Sequence, residues 1–186
     1  MKNNELKAWT VWDWPVRLLH WSLVLTVVSA WILGGRSGRL GEWHEWLGYA
    51  AAAVVVLRLI WGACGSRYAR FRQFVRAPRF TLRYGRQVLH GEAPRYLGHN
   101  PLGGAMVVLL LGCVGALSLS GWLYTTDWLW GYEWLYQVHF VLGWLLVGLV
   151  ALHLVGVVLT GWQHGENLVR AMLTGRKAAP QNDDVA

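Results

Sequence analysis

Charge is scarce in this chain. Asp, Glu, Lys and Arg make up 15% of its 186 residues, where an ordinary soluble domain carries about a quarter. Acids are scarcer still, 10 against 17 Lys and Arg, which leaves a net charge of +7. Cysteine is nearly absent. Cys64 and Cys113 form no C-x-x-C-H for covalent haem and no zinc-ligand spacing, and Cys113 reads as packing material. No internal repeat is visible, which argues against a transporter built from repeated halves and broken helices. What is abundant is apolar: 55% of the residues, with 14 Trp. The positive charge sits between the apolar runs instead of spreading over a soluble surface. That pattern belongs to a bilayer and excludes a nucleic-acid partner.

A bilayer-spanning helix needs about 20 mostly apolar residues. Four stretches qualify, at about 15–34, 43–62, 102–124 and 134–162. Asp13 is a plausible cap for the first, with Pro15 in its first turn. Pro101 breaks the chain ahead of the third. The first span reads as a retained anchor and not as a cleaved signal. Residues 1–177 form one transmembrane domain, and 178–186 read as a frayed polar tail. The 66–100 connection holds Arg67, Arg70, Arg72, Arg76, Arg79, Arg83, Arg86 and Arg95. Lys2, Lys7 and Arg17 lie at one end of the chain, and Arg170, Arg176 and Lys177 at the other. The two opposite turns, 35–42 and 125–133, offer only Arg36 and Arg39. The positive-inside rule therefore puts both termini and the long connection in the cytoplasm. Trp9, Trp12, Trp14, Trp43, Trp46, Trp122, Trp128, Trp130, Trp134 and Trp162 cluster at the span ends as an aromatic belt. The segment 80–89, basic and partly apolar, suits a position along the headgroups.

Four histidines fall in or at the edge of the spans: His20, His44, His139 and His153. An ionisable group is costly in a bilayer, so each needs a reason. His139 and His153 are fourteen residues apart. At 100° per residue this is four turns less about 40°, with a rise of ~21 Å. Both rings face one way, at two depths of a core ~30 Å thick. The topology then pairs His20 with His153 and His44 with His139, each pair from two helices. A helical bundle clamps a planar macrocycle in this way. Two axial imidazoles per iron give an electron-transferring haem. The fold expected is thus all-α, a four-helix transmembrane bundle binding two b haems.

Arg58 lies fourteen residues after His44 and Arg17 one turn before His20. Guanidinium forks grip carboxylates, so both are expected at haem propionates. Gly48, Gly104, Gly112, Gly115, Gly143, Gly148 and Gly156 suit either close helix contact or room for a porphyrin. His164 would share the face of His153 if the helix continued, which makes it a rival ligand. His99 is a candidate proton handler by its ordinary pKa, or a loop residue satisfied by water or backbone. His90 reads as solvated.

The runs VWDWPVRLLHW, HEWLGY, LRLIWGACGSRYARF, YLGHNPLGGAM and HGENLVRAMLTGRK together resemble the bacterial cytochrome b561 family. That family is close to the b-type cytochrome subunit of nickel-iron hydrogenases. The resemblance covers nearly the whole chain. It implies a bacterial inner-membrane protein with two non-covalent b haems ligated at His20, His44, His139 and His153. It also implies electron transfer between the quinone pool, ubiquinone or menaquinone, and a periplasmic cytochrome c or a hydrogenase-like partner. The alternative implied is a stand-alone superoxide:quinone oxidoreductase. Arg36 and Arg39 could steer an anion on that side. Glu42, Glu45, Asp127 and Glu133 make the same side net acidic, which suits a basic partner protein better.

Overall fold

A computed structural model describes residues 9–180, 184 and 185; Lys2, Lys7 and part of the C-terminal tail lie outside the described residues. Four long helices dominate: α1 (Trp14–Leu33), α2 (Arg39–Cys64), α5 (Pro101–Tyr124) and α6 (Glu133–His164). All four are long and apolar enough to cross a membrane. Shorter pieces complete the chain. They are a two-residue strand β1 (Trp9–Thr10), a 3-10 turn (Arg67–Ala69), α3 (Phe71–Phe74), α4 (Pro78–His90), α7 (Leu168–Thr174) and β2 (Arg176–Lys177).

The span ends follow local chemistry. Asp13 accepts the Val16 N–H at 2.9 Å and so caps α1. Asn100 accepts the Gly103 N–H at 2.7 Å with Pro101 as the first helical residue. Pro101 therefore starts α5 instead of preceding it. The second span begins four residues earlier than its apolar run, because Gly35 (φ 71°) and Gly38 (φ 62°) turn the chain before Arg39. Along α6 the less exposed positions recur as 139, 142, 143, 146, 149, 153, 157 and 160. That spacing is one stripe of a helix, and the residues between face outward. Exposed leucines and valines such as Leu25 (68%) and Val158 (68%) would be untenable in water; they suit lipid.

The described residues divide into two compact units. One, the span unit, comprises 18–60 and 108–151. Its interior is sparse in polar groups, with Cys113 buried and its Sγ 3.6 Å from the Leu142 carbonyl.

The other, the clasp unit, draws on 1–17, 61–107 and 152–186. Val11, Trp12, Val16, Tyr68, Ala69, Leu97 and Ala171 form its core. Trp12 is thus a core residue, 7% exposed, and not part of the aromatic belt; Trp14, Trp43, Trp46, Trp128 and Trp162 are exposed as expected. Trp61 Nε1 donates to Asp13 Oδ2 at 2.9 Å. β1 and β2 pair antiparallel, Trp9 against Lys177 and Thr10 against Arg176. The tail docks instead of fraying at its described end. Asp184 accepts from Arg95, and Val185 forms a parallel bridge to Tyr96. Arg95 also meets Glu166 at 2.5 Å, and Lys177 meets it at 2.8 Å. Burial pushes the Glu166 carboxyl up, but the hydrogen bonds and charges of Lys177 and Arg95 together outweigh it and hold the carboxyl below its ordinary range. Burial, with the neighbouring Tyr96, pushes the Tyr84 phenol up to about 12.

Candidate haem-binding site

α2 carries His44 five residues after its start, and α6 carries His139 six residues after its own. Both belong to the span unit. Their ring centroids stand 6.1 Å apart, with the planes at 78°. His44 Nδ1 lies 2.8 Å from the Ala30 carbonyl oxygen. A carbonyl only accepts, so this nitrogen carries the proton. His139 Nδ1 lies 3.0 Å from Ser120 Oγ. The Ser120 hydroxyl gives its one proton to the Leu117 carbonyl at 3.0 Å, so Oγ must accept from His139. Each ring is therefore held as the Nδ1–H tautomer, and each keeps its lone pair on Nε2.

Two imidazoles set up in this way fit an iron between them. A metal–nitrogen bond of about 2 Å on each side separates in-line ring centroids by roughly 6 Å. The anchoring of Nδ1 fixes each ring and raises its basicity, as in other histidine–metal sites. Among the described residues no group of three His, Cys, Asp or Glu could hold a metal.

The glycines now separate into three classes. A Cβ at Gly121 would sit 3.2 Å from His139 Cε1, and one at Gly143 would sit 3.3 Å from Trp31. One at Gly104 would strike the Phe74 carbonyl at 2.6 Å. These three allow close packing. At Gly48, one turn beyond His44, and at Gly115, both half-buried, a Cβ would meet nothing within 4 Å. These two suit a porphyrin face. Gly112, Gly148 and Gly156 are exposed, and suit lipid.

His20 and His153 are each half-buried on α1 and α6, and they belong to different units. His153 lies on the inward stripe of α6, as does His164, to which the helix extends. Arg58 is 6% exposed on α2. A buried guanidinium demands an anionic or hydrogen-bonding counterpart. One arm of Arg17 donates to the Leu173 carbonyl in the last turn of α7. Its buried Nε has no hydrogen-bond partner among the described residues. His99 is held between Trp12 and Phe74, with ring centroids at 4.6 and 4.4 Å. It is part of the clasp-unit packing.

Ser120 and Ala30 are the residues that sequence reasoning missed. Ser120 carried a signal, because a buried hydroxyl inside an apolar span also needs a reason. Ala30 carried none, since it contributes only its backbone.

The model of the prokaryotic cytochrome b561 family matches residues 11–175. The chain belongs to that family. It is a b-type cytochrome and a multi-pass membrane protein, and haem b is its cofactor. This cytochrome is 28% identical over 125 residues to a probable Ni/Fe-hydrogenase B-type cytochrome subunit of Cupriavidus necator. The match covers 53% of this chain and 50% of that relative, so the chain spans about half the length of the curated relative it matches. No solved structure matches it.

Proposed function

We propose that this cytochrome carries two b haems and passes electrons across the membrane between the quinone pool and a redox partner. The observation that carries the proposal is the His44–His139 pair, with both Nδ1 atoms tied and both Nε2 atoms left as ligands. Haem b supplies a one-electron couple within an apolar site. His44 and His139 would hold one haem, positioned by Ala30 and Ser120. By sequence register, His20 and His153 would hold the second. Their pairing rests on helix register, since His153 repeats the face of His139 fourteen residues on. Arg58, buried on α2, would neutralise propionate charge, and the Nε of Arg17 would offer a further donor.

The basic segments support a reading with both termini on the cytoplasmic side of a bacterial inner membrane. Ubiquinone or menaquinone is the proposed quinone. The partner is a hydrogenase-like protein, as the name of the C. necator relative suggests, or a periplasmic cytochrome c. Superoxide oxidation gains no separate support. Arg39 lines a shallow groove on α2 with Trp43 and Trp46, but Glu42 lines it too and offsets the charge.

The test is a reduced pyridine haemochrome assay on purified protein, followed by mixing with a short-chain quinol. Two haems per chain, reduced by the quinol, are the expected outcome. One haem would mean that one of the two pairs is misassigned, and His164 would return as a ligand. Two haems inert to any short-chain quinol would remove the quinone half.

A further inference from the structure

The face of α4 turned towards the rest of its unit is fixed by three contacts. Tyr84 is 3% exposed and donates its hydroxyl to the Pro94 carbonyl at 3.4 Å. Gln163, in the last turn of α6, donates to the Val88 carbonyl at 3.0 Å. A Cβ on Gly85 would lie 3.8 Å from Leu102, in the first turn of α5. These contacts put α4 beside the ends of α5 and α6, two helices long and apolar enough to cross a membrane.

At 100° per residue, the positions beyond Gly85 are Leu89 and Leu82, 85% and 69% exposed. Arg86, Arg79 and Arg83 come next, all exposed. Phe80 follows, with the guanidinium carbons of Arg79 and Arg83 at 5.0 and 5.1 Å from its ring centroid. α4 carries no acid. Two bare leucines beside three arginines make a poor surface for water. They make a good one for a headgroup layer, where leucine enters the acyl boundary and arginine meets phosphate. The leucines also lie on the Leu102 side of the helix, towards the apolar span.

We infer that α4 is an interfacial helix that binds the phosphates of anionic phospholipids through Arg79, Arg83 and Arg86, with Leu82 and Leu89 in the acyl boundary. The arginines are matched to negative lipid charge, and the leucines distinguish a bilayer from an acidic soluble protein. Guanidinium forks suit phosphate oxygens, and the Phe80 ring holds two of them in place.

The experiment uses the full haem-loaded chain in nanodiscs of phosphatidylcholine alone or with about a third phosphatidylglycerol. Hydrogen–deuterium exchange is followed over 78–90. One arginine near an anionic surface contributes about fivefold to binding, so exchange at least about fivefold slower in the anionic discs is expected. The variant R79Q/R83Q/R86Q should erase the difference, and L82S/L89S should reduce it. Should the triple variant lose its haem absorbance, the parent protein in roughly 1 M salt serves instead, because screening should also erase the difference. Equal exchange in both discs would overturn the inference and leave α4 as a solvated or protein-facing surface. A difference insensitive to both the triple substitution and salt would also overturn it.

Discussion

The span unit and the clasp unit hold themselves together by different means. In the span unit, polar groups are few, and two of them, the Ala30 carbonyl and Ser120, fix histidine rings. In the clasp unit, charges are buried in a cluster, with Arg95, Lys177, Glu166 and Asp184 at side-chain exposures of 11, 5, 10 and 4%. A bilayer allows unpaired charge almost nowhere, so the spans carry few polar atoms and tie them to partners. The clasp unit gathers segments from three separate parts of the chain, and directional ion pairs specify which of them meet. The cost of removing a polar group should therefore differ in kind: cofactor loss in one unit, unfolding in the other.

The largest effect expected comes from His139→Ala. It should remove one haem of the two and leave the chain folded, read as half the pyridine haemochrome signal with unchanged helical circular dichroism. Loss of neither haem would break the comparison at its root, because the tied imidazoles would then not be ligands.

Next in size is Lys177→Met. It leaves Glu166 with one cation fewer in a buried setting, and breaking such a pair costs about 3–5 kcal/mol. The expected result is a lowered thermal midpoint and faster proteolysis of the connection 91–97. The double variant Lys177→Met/Glu166→Leu should be milder than the single one. Acid acts in the same sense. The folded Glu166 carboxyl binds its proton more weakly than the unfolded one, whose ordinary value is 4.5. Its contribution is present above that value and is lost as pH falls through the lower, folded one. A clasp unit indifferent to pH from 6 down to about 3 would show that the cluster contributes no stability.

A smaller effect is expected from Ser120→Ala. Loss of an outer-shell partner costs about tenfold in metal affinity, so haem retention during dilution should weaken by roughly that factor. The thermal midpoint should move little.

The same contrast explains what could be read from the sequence. The four spans were legible because apolar runs of the right length have no other home. The closeness of His44 and His139 was legible because their depths match. The span ends were less so: α2 starts at Arg39 because two glycines turn the chain there, and α6 runs on to His164. The clasp unit was nearly invisible. Arg95 and Lys177 counted only as topology markers, and their partner Glu166 lies 71 residues from Arg95 along the chain. Periodicity carries no information about such pairs. His99 was read as a loop residue or proton handler for the same reason, since the rings that hold it come from Trp12 and Phe74.

The smallest change sharpens the contrast most. Asn100 caps α5 through one hydrogen bond to the Gly103 N–H, and it belongs to the clasp unit. Asn100→Ala should cost about 1 kcal/mol, the usual worth of such a cap. It removes no ligand and no ligand partner, so the haem absorbance should be unchanged while the thermal midpoint falls. Ser120→Ala removes one hydrogen bond of similar worth and should do the reverse. A Ser120→Ala protein that loses stability and keeps its haem affinity would show that the hydroxyl serves packing, and the division of labour between the two units would not hold.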